Sequence, residues 1–180
     1  PDLIILDPSD TQSCYELVRQ AYESGHSSYT RIRRKGATHR YPVGTKIELG
    51  KGIVVREGQD LTIVATGETM MDQAEKACDI LAAKGIKARL IDMHTIKPLD
   101  TDIIEKAARE TGRILVCENA RYAGGVGEAI AAHLAKNCPT KMDFVNVGER
   151  FGEVGKLDYL LKTFHFTAED IAAKAEALAK

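Results

Sequence analysis

The stretch LTIVATGETMMDQAEKACDILAAKG, residues 61–85, decides the fold because it reads as a strand followed at once by a helix. Its first six residues are apolar and rich in β-branched side chains, which is typical of a strand buried on both faces. Gly67 interrupts the strand, and Thr69 with Asp72 three residues later resembles a capping box. The helix ends at Gly85 and presents one apolar face, formed by Met71, Ala74, Cys78 and Leu81.

The same alternation continues to the end of the chain. Asp100 is placed to cap a helix that Gly112 ends, and Thr167 with Asp170 repeats the capping pattern for the last helix. Strands that alternate with helices are joined by right-handed crossovers. The sequence therefore predicts an α/β fold, a three-layer and mostly parallel sheet. Its strands are expected at residues 61–66, 87–92, 113–118 and 143–147, with a further helix at 124–137.

The residues before this domain predict only part of a fold. Residues 2–6 read as a buried strand, residues 7–10 as a turn that opens a helix, and residues 28–34 (SYTRIRR) as a second strand. One helix and two strands cannot cover both faces of a sheet. We therefore expect the chain to begin partway through a domain, as a partial α/β unit.

The predicted domain boundaries follow from this pattern. Residues 1–35 are expected to be the remnant of one domain, and residues 36–46, with their Gly, Pro and polar side chains, a linker. Residues 47–180 are expected to form the complete next domain. At its start, residues 47–56 (IELGKGIVVR) predict an edge hairpin around a Gly-Lys-Gly turn.

Composition argues against several classes of protein. The chain has 180 residues, is 44% hydrophobic and carries a formal net charge of −1, without the basic excess of nucleic-acid or membrane-surface binders. No apolar run approaches the ~20 residues of a transmembrane helix. The cysteines form no C-x-x-C pair and favour reduced thiols in a cytoplasmic protein. They are Cys14, Cys78, Cys117 and Cys138.

One glycine-rich loop is a candidate anion-binding site. In α/β sheets, ligands bind beyond the carboxyl ends of the strands. The sequence ENARYAGGVGEAI brings Gly124, Gly125 and Gly127 to a helix N-terminus, where free N–H groups could hold an anion. It matches neither G-x-G-x-x-G nor a P-loop. The alternative, that these glycines permit tight helix–sheet packing, is favoured because isolated glycine motifs are weak signals.

No metal site or catalytic residue is predicted. The histidines lack metal-ligand spacing; they are His26, His39, His94, His133 and His165. Glu118 ends a strand and is a candidate buried carboxylate. Without a partner in the sequence, a structural role in fixing the following loop is favoured over acid–base chemistry.

One basic cluster stands out near the end of the second predicted strand. Strand alternation would place Arg31 and Arg33 on one face and Arg34 on the other. Arginine suits a phosphate or carboxylate, whereas a solvated strand end or an interface would look the same in sequence. Both interpretations remain open. The cluster comprises Arg31, Arg33, Arg34, Lys35, His39 and Arg40.

Three stretches together resemble the transketolase C-terminal domain. Residues 61–67 and 94–100 (LTIVATG and HTIKPLD) resemble its strand–ATG–helix and TIKPLD pattern. Residues 116–130 (VCENARYAGGVGEAI) look like its glutamate followed by a Gly-Gly-x-Gly loop and helix. Residues 149–171 resemble its closing stretch from RFGESG to LTAEDI. Their order and spacing over about 120 residues make the match specific.

The resemblance extends upstream and implies substrate-binding residues. LDPSD and residues 18–34 are similar to the end of the transketolase pyrimidine-binding domain, so residues 1–35 would be its remnant. Arg34 falls on the arginine that contacts the sugar phosphate, and Arg31 on an earlier arginine of the same strand. Departures occur at Asn119-Ala120, Val154 and His165, and these leave the substrate open.

The resemblance also implies a reaction, cofactors and partners. A transketolase transfers a two-carbon ketol unit between sugar phosphates in the pentose phosphate pathway, using thiamine diphosphate and Mg²⁺. The residues that bind and activate the cofactor would lie outside this chain, so no catalytic residue is carried over and the chain alone is expected to be inactive. A homodimer, and missing N-terminal domains or a separate N-terminal subunit, are the implied partners.

Alternatives stay open at this point. Deoxyxylulose-phosphate synthase and the β subunits of 2-oxoacid dehydrogenases share the architecture, although the basic strand end and TIKPLD favour transketolase over the dehydrogenase subunits. A purely structural dimerisation module is the alternative from a different class.

Overall fold

The computed structural model describes residues 2–34 and 38–180. Fourteen elements follow one another within these residues, eight of them strands and six of them helices. They are β1 Ile4–Leu6, α1 Thr11–Glu23, β2 Ser28–Thr30, β3 Ile53–Arg56, β4 Leu61–Ala65, α2 Gly67–Ala83, β5 Ala88–Asp92, β6 Thr95–Lys97, α3 Thr101–Thr111, β7 Arg113–Cys117, α4 Val126–Asn137, β8 Lys141–Val145, α5 Leu157–Thr163 and α6 Ala168–Ala179.

The larger sheet has five strands in the order β3-β5-β4-β7-β8. β5, β4, β7 and β8 are parallel, and only the edge strand β3 runs antiparallel to its neighbour β5. α2 and α6 pack on one face of the sheet, and α3 and α4 pack on the other. The predicted three-layer, mostly parallel α/β fold is confirmed.

Local chemistry explains most element boundaries. All five residues of β4 are buried, as its apolar, β-branched sequence predicts. The side chain of Asp100 accepts a hydrogen bond from the Ile103 N–H, and Gly112 ends α3 in the left-handed conformation. Thr167 and Asp170 form the predicted capping box of α6. These three predicted helix ends are confirmed.

The predicted capping box of the helix after β4 is wrong. α2 begins at Gly67, with Thr66 as a cap residue that makes no side-chain hydrogen bond to the helix. Gly67 has a φ of +68°, which turns the chain into the helix directly after β4. Thr69 consequently lies inside the first turn and does not precede it.

Other boundaries also differ from the prediction. α4 begins at Val126, two residues after the predicted start, and β8 ends at Val145, two residues before the predicted end. The helix α5, Leu157–Thr163, was not predicted. The second strand is restricted to Ser28–Thr30, so residues 31–34 are not in a strand and the predicted alternation of the arginines does not apply.

Residues 47–56 do not form the predicted hairpin. Only Ile53–Arg56 is a strand, and it pairs with β5. The Gln20 side chain of α1 donates to the Ile47 carbonyl at 2.6 Å and accepts from the Leu49 N–H at 2.9 Å. Because α1 takes these backbone groups, they do not pair with β3.

A second, three-stranded sheet joins the first residues to the larger domain. Its order is β2-β1-β6, with β1 parallel to β2 and antiparallel to β6. The third strand, Thr95–Lys97, comes from the segment after β5 and was not predicted. α1 covers this sheet through a small core with Leu6, Leu17 and Ile47. The partial unit therefore receives a strand from the following domain.

Two further observations concern the described part of the chain. None of its helices has the length and apolarity needed to cross a membrane. All four cysteines are free thiols; Cys78 and Cys117 are buried, whereas Cys14 and Cys138 are half-buried. Pro1, Lys35, Gly36 and Ala37 lie outside the described residues, and with them one member of the basic cluster and the start of the predicted linker.

Candidate functional site

The candidate site is a cleft at the carboxyl ends of β4 and β7. These strands are neighbours, but α2 leaves β4 toward one face of the sheet and α4 leaves β7 toward the other. Such a switch point opens a crevice in which α/β proteins bind ligands. Thr66 and Gly67 follow β4, and Glu118 and Asn119 follow β7.

The end of β1 closes one side of this cleft. The Gly67 N–H donates to the Asp7 carbonyl at 3.1 Å. A Cβ at Gly67 would lie 2.5 Å from Asp7 Oδ1, and the positive φ is unfavourable for other residues. A glycine is therefore required where the first unit meets the larger sheet.

Two adjacent cavities occupy the cleft, with volumes of about 210 Å³ and 310 Å³. Both are lined by the same four polar residues. These are Asp7, Arg31, Thr66 and Asn119. Arg31 thus lies in the cleft as well as in the basic cluster, and its backbone N–H donates to the Leu6 carbonyl at 2.9 Å.

Burial dominates the electrostatics of the cleft. It raises the pKa of Asp7 to about 6, against the opposing effects of Arg31 and of a hydrogen bond from Thr66. Arg31 Nη1 lies 3.9 Å from Asp7 Oδ2. Burial also raises the pKa of Glu118, although N–H groups of Gly127 and Val126 and the charge of Arg31 favour its ionised form. The cleft therefore couples two carboxyl groups to one guanidinium.

The glycine-rich loop is held by carboxylates of the chain itself. Glu118 accepts from the Val126 N–H at 2.7 Å and the Gly127 N–H at 3.1 Å. The Gly124 N–H donates to Glu128 Oε2 at 2.5 Å. The N–H groups of Gly124 and Gly127, two of the three glycines in the predicted anion site, are consequently in use. Glu118 is 2% exposed and fixes the loop, as its position at the strand end suggested.

Close packing explains two of the glycines. A Cβ at Gly125 would lie 2.5 Å from Glu118 Oε2. A Cβ at Gly127 would lie 2.7 Å from Phe144 Cδ1. Nothing lies within 4 Å of a Cβ at Gly124, but its φ is +80°. The geometry favours the packing interpretation of this motif.

The basic cluster divides into buried and exposed members. Arg33 Nη1 lies 3.2 Å from Glu68 Oε1 and 3.4 Å from Asp72 Oδ2. The Arg40 side chain is 4% exposed and pairs with Asp72 and Glu75. Arg33, Arg34 and His39 are exposed. The structure therefore brings Arg31 into the cleft and leaves Arg34 at the surface near it in sequence.

A second buried network lies between the first unit and the larger sheet; we call it the polar joint and define it as Ser9, Arg40, Tyr41 and Asp92. Ser9 Oγ and Tyr41 Oη both donate to Asp92 Oδ2, the latter at 2.8 Å. Arg40 Nη1 donates to the Ser9 carbonyl at 2.5 Å. Asp92 Oδ1 is buried without a hydrogen-bond partner among the described residues.

The polar joint contains strongly perturbed groups. Burial raises the pKa of Asp92 to about 6, despite hydrogen bonds from Ser9 and Tyr41 and the charge of Arg40. Burial and the neighbouring Asp92 also raise the pKa of Tyr41. The adjacent His94 is fully buried, and burial lowers its pKa to about 4.

Sequence reasoning missed Asp7 as a site residue. The rule that ligands bind beyond strand ends was applied to the larger sheet alone; applied to β1, it would have indicated Asp7. The polar joint had no comparable signal, because Tyr41 and Asp92 are 51 residues apart and meet only in the folded chain.

The described residues provide no evident metal centre. Within 2–34 and 38–180, no group of three or more His, Cys, Asp or Glu side chains is arranged to hold a metal ion. His133 of α4 is paired with Glu105 of α3, and the distance from His133 Nε2 to Glu105 Oε1 is 2.9 Å.

Comparison with known proteins follows the same division of the chain. The family model described as transketolase, C-terminal domain, matches residues 50–171. A 6-deoxy-6-sulfo-D-fructose transketolase subunit of Clostridium sp. (strain MSTE9) is 36% identical over 175 residues, covering 97% of this chain and 54% of that protein. A putative transketolase C-terminal section of Methanocaldococcus jannaschii is 33% identical, covering 97% of this chain and 55% of that protein.

The chain is also similar to a synthase and to a solved transketolase structure. A 1-deoxy-D-xylulose-5-phosphate synthase of Heliobacterium modesticaldum is 34% identical, covering 99% of this chain and 28% of that protein. Among solved structures, a split-gene transketolase described as an inactive β4 tetramer superposes with a TM-score of 0.92 at 33% identity, covering 99% of this chain and 58% of that one. The chain thus spans about half the length, or less, of these relatives. It belongs to the transketolase C-terminal domain family.

Proposed function

We propose that this chain is the C-terminal part of a thiamine diphosphate-dependent transketolase, which transfers a two-carbon ketol unit between sugar phosphates. The observation that carries the proposal is the extent of the similarity. It covers 97% of the chain against a transketolase subunit and so includes most of the 49 residues that precede the family match.

The proposed domain boundaries are those expected from the sequence. Residues 1–35 are the end of a pyrimidine-binding domain, residues 36–46 a linker, and residues 47–180 the C-terminal domain. The separate small core under α1 supports a distinct first unit. Ile47 packs into that core, so the second boundary is also a point of contact between the units.

Arg34 and Arg31 are the proposed contacts to the substrate phosphate. Arg34 is exposed, and Arg31 is half-buried in the cleft with a side chain that is 39% exposed. A guanidinium forms charge-assisted and often bidentate hydrogen bonds to phosphate oxygens. The loop at Gly124, Gly125 and Gly127 contributes to the shape of the cleft, with its N–H groups held by Glu118 and Glu128.

Thiamine diphosphate and Mg²⁺ belong to the intact enzyme in this proposal. When bound, the cofactor supplies the carbanion chemistry of ketol transfer. The described residues do not fit the magnesium diphosphate, because no three of their His, Cys, Asp or Glu side chains are arranged to hold a metal ion, and Glu118 and Glu128 occupy the N–H groups of Gly124, Val126 and Gly127 in the glycine-rich loop. We assign its ligands to residues outside this chain and derive no step through it.

The proposed partners are a second copy of this chain and the N-terminal half of the enzyme, which is either a separate subunit or a preceding part of the same protein. Two observations support separate subunits. One relative is named as a transketolase subunit, and another as a C-terminal section. The superposed split-gene transketolase is named as inactive in its β4 form, which agrees with a chain that is inactive without its partner.

Deoxyxylulose-phosphate synthase is the second candidate. The similarity to that enzyme in Heliobacterium covers 99% of the chain at 34% identity, a level close to that of the transketolase relatives. Its donor is a 2-oxo acid, whereas a transketolase uses a ketose phosphate. The donor preference of the intact enzyme therefore distinguishes the two reactions.

The test is an assay of this chain with and without its N-terminal half, in the presence of thiamine diphosphate and Mg²⁺. We expect ketol transfer from a ketose phosphate by the assembled enzyme only. Calorimetry on the chain alone should show no micromolar binding of the cofactor. Turnover or micromolar binding by the chain alone would contradict the proposal, and a preference for pyruvate would favour the second candidate.

Replacing Arg34 tests the substrate site. Arg34→Ala should raise the KM for the sugar phosphate about tenfold, because a charge-assisted hydrogen bond contributes ~1.5–3 kcal/mol. Arg109→Ala is the matched control, since Arg109 is a surface arginine on α3 with a side chain that is 61% exposed. An unchanged KM in Arg34→Ala would remove Arg34 from the site.

A further inference from the structure

One face of α2 carries three carboxylates that bind the segment after β2. We call Glu68, Asp72 and Glu75 the acidic stripe. Their spacing of four and then three residues places them on the same side of the helix. Their partners are Arg33, Thr38 and Arg40.

Glu68 holds residues on both sides of Arg34. Its Oε1 accepts from the Thr38 N–H and from Thr38 Oγ1, both at 2.9 Å, and lies 3.2 Å from Arg33 Nη1. The Glu68 side chain is only 11% exposed, so water competes weakly for these bonds. One carboxylate oxygen thus joins the residue before Arg34 to a residue four positions after it.

The other members of the stripe extend the attachment. Asp72 accepts from Thr38 Oγ1 at 3.2 Å and from Arg40 Nη2 at 3.0 Å. Glu75 accepts from Arg40 Nε at 2.8 Å. Although burial disfavours its charge, the bonds to Glu75 and Asp72 raise the pKa of Arg40, which therefore stays charged.

The attachment is also supported from the opposite side. Asp10, the N-cap of α1, accepts from the Arg40 N–H at 3.0 Å and the Tyr41 N–H at 2.9 Å through Oδ2. Glu68 itself lies in the first turn of α2, where the helix dipole favours a negative charge. The stripe therefore holds described residues on either side of Arg34, namely Arg33 and Thr38.

We propose that Glu68 is a positioning residue for recognition of the substrate phosphate. It holds Arg33 and Thr38, and in this way presents Arg34 at a fixed place beside the cleft. None of the contacts described for the stripe involves Arg34 itself. The proposal rests on the proposed function, in which Arg34 binds the phosphate. It assigns the C-terminal domain a role in phosphate binding through α2, whose first residues, Glu68 among them, line the smaller cavity of the cleft.

The test compares two acceptor substrates in the intact enzyme, an aldose phosphate and the same aldose without its phosphate. Glu68→Ala should raise the KM for the phosphorylated acceptor about fivefold, while kcat and the KM for the unphosphorylated acceptor change less than about twofold. Glu68→Gln retains an oxygen acceptor for Thr38 and should restore most of the affinity. Asp79→Ala is the control, since Asp79 is an exposed carboxylate on the same helix, paired with Arg56.

Amide hydrogen exchange supplies a readout independent of activity. The Thr38 N–H should exchange faster in Glu68→Ala and at an unchanged rate in Asp79→Ala. Should Glu68→Ala fail to fold, Thr38→Val must show the same selective rise in KM, because it removes the hydroxyl bonds to the stripe and retains the side-chain shape.

The outcomes separate this proposal from the one on which it rests. If Arg34→Ala raises the KM for the phosphorylated acceptor and Glu68→Ala does not, Arg34 binds phosphate and the positioning role of Glu68 is wrong. An equal rise for both acceptors in Glu68→Ala also overturns it, because the effect would then be a general loss of structure. If Arg34→Ala changes neither KM, Arg34 does not bind the phosphate, and the positioning role proposed for Glu68 is wrong with it.

Discussion

The five-stranded sheet and the polar joint are both buried, but different chemistry stabilises them. In the centre of the sheet, Ile63, Val64 and Leu90 are fully buried and make apolar contacts on both faces. In the joint, Asp92 is as deeply buried, yet it is surrounded by hydroxyl groups and a guanidinium. The strength of apolar packing depends little on pH or on the mutual orientation of the groups, whereas a buried polar network depends on both. The sheet therefore supplies stability, and the joint supplies a defined orientation.

The largest expected effect is in the sheet. Ile63→Ala should lower the free energy of unfolding by about 4 kcal/mol, because it removes buried methylene groups and leaves a cavity in a packed layer. Urea unfolding of the purified chain measures this loss. Ile32→Ala is the matched control, since Ile32 is 68% exposed and should cost less than about 0.5 kcal/mol. A similar loss in both variants would contradict the comparison.

The next effect is the pH dependence of stability that Asp92 contributes in the joint. The pKa of Asp92 is raised from 3.8 to about 6, so the folded chain binds a proton that the unfolded chain has released between these values. The contribution of Asp92 to the free energy of unfolding is therefore largest below pH 4 and is lost as the pH rises through 6. A shift of this size corresponds to up to about 3 kcal/mol.

Asp92→Asn isolates that contribution from the other titrating groups. The variant carries a neutral side chain at every pH and retains an oxygen acceptor for Ser9 and Tyr41. Relative to this variant, the unsubstituted chain should lose stability between pH 4.5 and pH 7, as measured by urea unfolding at both values. A constant difference between the two proteins would show that folding does not raise the pKa of Asp92.

The smallest effect is expected for one hydrogen bond in the joint. Tyr41→Phe removes the 2.8 Å bond to Asp92 Oδ2 and should cost about 1 kcal/mol. Tyr22→Phe is the control, because Tyr22 is 87% exposed and makes no comparable buried bond. A loss as large as that of Ile63→Ala would mean that the joint also carries the stability of the sheet.

The same contrast explains which features the sequence predicts. β4 and β7 are mostly apolar runs, and the caps at Asp100 and Thr167 are local patterns, so both kinds of feature are visible without the fold. The strand β6 is only three residues long, and its partner β1 lies about 90 residues earlier in the chain. No local pattern reports such a pairing.

The site divides in the same way. Arg31 and Arg34 were identified from their arginine-rich segment and the family resemblance, and the structure places Arg31 in the cleft. The strand predicted over residues 28–34 is confirmed only for Ser28–Thr30, and beyond it the Arg33 side chain pairs with Glu68 of the acidic stripe. That Glu118 fixes the following loop was predicted from its place at the strand end, whereas its partners, the N–H groups of Val126 and Gly127, are seen only in the folded chain.

The pairing of β6 with β1 has a consequence for recombination between related proteins. A breakpoint in residues 36–46 separates the two units along the sequence, but it leaves Thr95–Lys97 on the far side from the strand that it completes. A chimera that joins the first unit of one relative to the C-terminal domain of another must therefore match β1 to a foreign edge strand. Grafting residues 95–97 together with the first unit keeps that edge native, so exchangeable modules in this family are interleaved along the chain.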